Sequence, residues 1–225
     1  MIYGVLRSSP LFLIIILMTG GIVSAESGQD TYHNPDLLSV DPQYPGNTSL
    51  DYASYLNMKG IQLDEKGRLD EALQAYQQAE EISPYAAAIW SNKGVTLRKM
   101  GRYQEAVQAF DTAIRIDPEE PVIWNGRGVA FFGLGNYTEE LTSYTRALEL
   151  DPSFSWAWSN AGAVLTRLGR YDEAINACKK AIEIDPQFTA AWYNLGIAYD
   201  SAERYTEANL AFNESRRLDP EILFF

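Results

Sequence analysis

A period of 34 residues runs five times through this chain without an insertion. Four landmarks carry its frame: a Trp, a Gly four residues later, a small residue twelve further on, and a Pro twelve beyond that. Trp90, Gly94, Ala106 and Pro118 show all four. A strict repeat of this length constrains the fold more than composition does. Each unit must bury its apolar face against the next, so the chain becomes an array whose function lies on its surface. The copies span 53–86, 87–120, 121–154, 155–188 and 189–222, and positions below are counted from 1 to 34 within each.

Each copy reads as two amphipathic helices. From Ala88 to Met100, Trp90, Leu97 and Met100 recur at helical spacing; from Tyr103 to Ile116, Val107, Phe110 and Ile114 do the same. Gly67, Gly101, Gly135 and Gly169 separate the two helices in four copies. Glycine tolerates the left-handed conformation that ends a helix. Glu203 replaces it in the last copy and is expected to strain that turn slightly. Pro84, Pro118, Pro152, Pro186 and Pro220 stop the second helices, because proline lacks the N–H and disfavours a helical residue before it.

The Trp-Gly-Ala-Pro pattern resembles the tetratricopeptide repeat family over residues 53–222. The resemblance implies an all-α fold: a tetratricopeptide-repeat solenoid of five antiparallel helix pairs in a superhelical stack. It also implies a concave groove lined by positions 2, 5, 6, 9, 12 and 13 of the first helices. There are departures. Position 7, usually apolar in the family, is Lys59, Lys93 and Arg127; their stems are expected to cover apolar surface while the charges reach water. Glu140 stands where the other copies have Ala, and Gly126, Gly128 and Gly133 crowd one helix. Each interior glycine costs about 0.5–1 kcal/mol relative to alanine, so copy three is expected to be the weakest or most adjustable unit. Glu80 and Arg216 stand at a position that is Ile114, Leu148 and Ile182 in the middle copies, which reads as polar capping of the two ends.

Residues 1–25 lie outside the array. Arg7, the apolar run Leu11 to Met18 and the small-residue pattern Val23-Ser24-Ala25 read as a secretory signal peptide cut after Ala25. The alternative is an uncleaved anchor over 11–25. Residues 26–52, broken by Pro35, Pro42, Pro45 and Gly46, read as a spacer; residues 223–225 form a short apolar tail. The expected location is extracytoplasmic, either secreted or in the cell envelope. The net charge of −12, without a basic cluster, speaks against nucleic acid.

No chemistry competes with the array. The one histidine, His33, lies in the spacer, and no Cys/His metal spacing occurs. Cys178, the only cysteine, takes a core position. The chain is read as a non-enzyme with no cofactor and no small-molecule substrate. Three sequons occur, at Asn47, Asn136 and Asn213; Asn136 lies in an inter-helix turn and is the best-placed glycosylation acceptor.

Carrying the family's groove positions onto this chain gives amides at Asn57, Asn92, Asn125, Asn160 and Asn194, basic residues at Arg98, Lys99 and Arg167, and aromatics at Trp156 and Tyr193. An amide offers both a donor and an acceptor. A row of amides can pair with an extended peptide, or bond locally between helices; the two roles are compatible. The expected function is an exported adaptor that holds a peptide segment of a protein partner in this groove. The alternative is a self-assembling structural protein of the envelope, a homo-oligomer.

Overall fold

The computed structural model describes residues 49–220; the segments read as signal peptide and tail, most of the segment read as spacer, and the Asn47 sequon lie outside them. Ten α-helices follow in order: α1 (Ser49–Glu65), α2 (Leu69–Ile82), α3 (Ala87–Lys99), α4 (Tyr103–Ile116), α5 (Pro121–Gly133), α6 (Tyr137–Leu150), α7 (Ser155–Arg167), α8 (Tyr171–Ile184), α9 (Thr189–Ser201) and α10 (Tyr205–Leu218). There is no strand among the described residues. They divide into two compact units, 49–157 and 158–220, with the boundary inside α7. Each is described by itself.

The helix boundaries follow the sequence signals. Gly67, Gly101, Gly135 and Gly169 have φ between 69 and 74°. At the first such turn Gly67 N–H donates to Asp64 and Arg68 N–H to Leu63, the paired bonds of a Schellman cap. Glu203 takes the same conformation at φ 60°, with the same pair of bonds: Glu203 N–H donates to the Asp200 carbonyl and Arg204 N–H to that of Tyr199. A side chain there carries the left-handed penalty that glycine avoids.

The tryptophans show why Trp and Pro recur together. The indole N–H of Trp90 donates to the Pro84 carbonyl at 3.0 Å, Trp124 to Pro118 at 2.9 Å, and Trp192 to Pro186 at 3.0 Å. Each of these tryptophans thus ties the start of its copy to the end of the one before, by satisfying the carbonyl of a proline two residues past the end of the preceding helix.

In the first unit α1 packs on α2, α3 on α4 and α5 on α6. Successive copies join through α2 with α3 and α4 with α5, while α1 with α3 and α3 with α5 form a layer of first helices. Phe110, fully buried, sits at the centre. A Cβ on Gly94 would lie 3.0 Å from its ring, and one on Gly126 of the next copy 2.6 Å. Gly133 likewise receives the Tyr103 ring, where a Cβ would come within 2.3 Å. Gly126 and Gly133 of copy three are therefore seats for aromatic rings of copy two, while Gly128 seats Tyr144 of its own copy. Full burial of the Phe110 ring, worth about 1.5–3 kcal/mol, offsets part of their backbone cost, which a count of glycines alone does not include.

In the second unit α8 packs on α9 and α9 on α10. Gly162 lies against Cys178, where a Cβ would stand 2.3 Å from the sulfur. Burial pushes the Cys178 thiol up to about 12, in keeping with an inert core residue.

Two sequence readings change. Helix α1 begins at Ser49, inside the segment read as spacer. Glu80 is not an end cap: it receives Lys93 Nζ of the next copy at 2.9 and 3.0 Å, in a half-buried pair. The sequence placed a polar residue at an apolar position, and its partner is another exception, the cation at position 7. Arg127 is held likewise, but by an acid about one turn earlier on the preceding helix: Asp111 at 2.7 Å, with Ser143 at 2.8 Å and Glu139 at 3.3 Å from its own copy. These two charges are held by acids inside the array, with Lys93 also over the Trp90 ring and Arg127 over the Phe131 ring.

Candidate functional site

The first helices of copies one and two build one continuous face. Asn92 Nδ2 donates to Asn57 Oδ1 at 3.0 Å, linking α3 to α1. Both residues are half-buried. This bond uses one donor of Asn92 and the carbonyl of Asn57. The Asn57 NH2 and the Asn92 carbonyl keep a donor and an acceptor beside one another.

Further along the same pair of helices lies a buried carboxylate. Asp64 is only 4% exposed. Thr96 Oγ1 donates to Asp64 Oδ2, and Lys99 Nζ pairs with Asp64 Oδ1. Burial raises the Tyr76 hydroxyl, and Asp64 adds to that shift. Arg98 is buried too; loss of water lowers its pKa, against the opposing pull of Tyr144, Tyr103 and Asp64. Lys99, one of the basic groove candidates, therefore has its charge matched by Asp64, while Arg98 is largely withdrawn from solvent. Asn125, on α5, is buried.

In the remaining copies three of the five candidate residues lie deeper. Trp156 and Arg167 are half-buried; Asn160, Tyr193 and Asn194 are buried. Asn194 Nδ2 donates to Ser159 Oγ at 3.1 Å, while its Oδ1 is enclosed without a hydrogen-bond partner. Asn92 to Asn57 and Asn194 to Ser159 are the same device, position 6 of one copy reaching position 5 of the copy before. Local bonding between copies thus uses a donor of each of these two amides. Tyr193 packs on Phe212 at 5.5 Å, with its hydroxyl pushed up by burial. Asn136 is exposed and caps α6, its Oδ1 accepting from Glu139 N–H at 3.3 Å.

One feature escaped the sequence reading. A cleft of about 580 Å³ opens between α2 and α4 over α3, on the side of the second helices. Leu73, Trp90 and Leu97 form its floor, and Gln74, Gln77 and Gln108 its rim. The signal was present, as glutamine at position 22 in two consecutive copies, but outward-facing amides look like ordinary solvated surface. Among the described residues no cluster of side chains could hold a metal ion, and no helix is long and apolar enough to cross a membrane.

Comparison with known proteins agrees with this architecture. Tetratricopeptide repeat models match residues 91–153, 155–188 and 177–208, and a TPR repeat model matches 63–101. Among solved structures, YrrB, described as a TPR protein with an unusual peptide-binding site, is 25% identical; the match covers 78% of this chain and 88% of that one, with a TM-score of 0.63. MamA is 24% identical over 72% of this chain and 95% of its own, with a TM-score of 0.64. A MamA from Desulfovibrio magneticus RS-1 is 19% identical over 76% and 97%, with a TM-score of 0.67. The comparison with curated proteins yields no match. With the helix pairs, the Trp–Pro ties and the glycine caps in place, the chain belongs to the tetratricopeptide repeat family.

Proposed function

We propose that this protein is an exported interaction scaffold that binds an extended peptide segment of another protein on the first-helix face of copies one and two. The Asn57–Asn92 pair carries the reading. It is held rigid by its own hydrogen bond, yet keeps a donor and an acceptor at half-buried positions. A peptide backbone presents the complementary carbonyl and N–H whatever its side chains. YrrB, with its peptide-binding site, is a relevant neighbour. Export rests on the leader pattern of residues 1–25.

The α2–α4 cleft favours a second reading in which the partner docks on the opposite layer, with Gln74 and Gln108 as its polar contacts. Capture from envelope extract of the native host separates the two. An Asn57→Ala/Asn92→Ala bait that folds but loses the retained protein supports the first reading. Loss only with Gln74→Ala/Gln108→Ala favours the second. A retained protein indifferent to both pairs of changes contradicts both. Intact mass of the protein isolated from that host tests export: loss of residues 1–25 supports it, and a full-length cytoplasmic species would sink it.

A further inference from the structure

Position 7 of a copy is where the second helix of the preceding copy arrives. Lys93 meets Glu80 there, and Arg127 meets Asp111. Copy one carries the same cation, Lys59, with no copy before it. Lys59 is exposed. The Glu71 carboxyl is lowered first by its hydrogen bond with Arg68 and slightly by Lys59, but Lys59 makes no salt bridge among the described residues. On the same strip of α1, Tyr52 is 41% exposed and stacks on Tyr55 at 6.0 Å, and Gln62 is exposed. Tyr55, Lys59 and Gln62 correspond to Ile89, Lys93 and Thr96, residues of α3 at the junction with α2.

We propose that this strip of α1 is a docking surface for an amphipathic helix of a partner protein, one that carries an acidic residue in the register that Glu80 holds in α2. The charge selects the partner. A second copy of this chain would offer α10, whose residue in that register is Arg216, and whose Asn209 replaces the apolar residue at position 21. Like charge would then face Lys59, and the apolar contact would be lost. The occupant is therefore an acidic helix from a different protein, and the array is extended by one helix without polymerising.

The probe is a fluorescein-labelled peptide of residues 68–84, which contains α2 and its Glu80, titrated with the full chain by fluorescence anisotropy. Lys59→Glu is expected to weaken binding about two- to fivefold, the range for an exposed ion pair, with Lys59→Gln in between. A peptide carrying Glu80→Lys should prefer the Lys59→Glu chain over the natural one. Circular dichroism checks that both variants fold. No binding, or affinities that ignore both charges, would overturn the proposal. So would a natural chain that self-associates and is made monomeric by Lys59→Glu, since the occupant would then be a second copy. Asn57→Ala/Asn92→Ala leaves the α1 strip intact, so peptide binding that this change abolishes would also overturn it.

Discussion

Copies two and five solve the same junction differently. In copy two, position 7 is Lys93, half-buried, stacked over Trp90 and paired with Glu80. In copy five it is Leu195, 4% exposed, on a helix that packs against α8. A leucine needs only apolar neighbours, whereas a lysine needs an acid at one place on the preceding helix. The first solution is nonspecific in register; the second fixes it, at the desolvation cost of two charges. The half of the array that holds the proposed peptide face is the half joined by ion pairs.

Variants can break this contrast, and the largest effects come from the shared aromatic core. Phe110 is enclosed by glycines of two copies, so Phe110→Ala should cost about 3–5 kcal/mol in urea unfolding. Phe212, at the equivalent place in the last copy, is only half-buried; its replacement by Ala should cost visibly less. Equal losses would mean that the next copy's glycine seat contributes nothing.

The polar junction comes next. Arg127→Leu imitates copy five but leaves Asp111 and Glu139 without their cation; both acids are more than a third exposed, so water screens the loss. A cost of about 1 kcal/mol is expected, measured by thermal or urea denaturation. Leu195→Lys is the reverse exchange. It puts an ammonium group at a buried position in place of an apolar side chain and should cost more, about 3 kcal/mol. If the two exchanges cost the same, the contrast between the junctions has no energetic content.

Smaller effects test the turns and the core thiol. Glu203→Gly should stabilise by about 0.5–1 kcal/mol, because glycine removes the left-handed strain, while Gly135→Ala should destabilise by a similar amount. For Cys178 the sign is set by its raised pKa. The folded state holds the thiol proton more tightly, so this contribution is full below the ordinary thiol pKa and is lost as pH rises toward about 12. Native protein should resist iodoacetamide at pH 8.5, and urea should expose the thiol. Fast alkylation of the native form would mean that α7 and α8 are open around it.

Most of the helical frame was legible because period, glycine caps and prolines act locally. What was missed depends on neighbours. Glu80 and Lys93 each look like an isolated exception in the sequence, since the reading compares a position with its own column and not with the position it touches. The amide row was legible as residues, but not its division between bonds within the array and capacity left for a partner: Asn194 is enclosed while Asn57 and Asn92 reach the surface. The α2–α4 cleft depends on the spacing of two helices, which no single column records.

The proposed peptide face is tested most directly by photo-crosslinking in the native host, with a benzophenone amino acid at position 91 beside the amide pair, at position 77 on the cleft and at the exposed control position 180. A crosslinked protein is predicted from position 91 and none from position 180. Adducts from position 77 alone, or none from position 91 where the protein is normally produced, would contradict the peptide face.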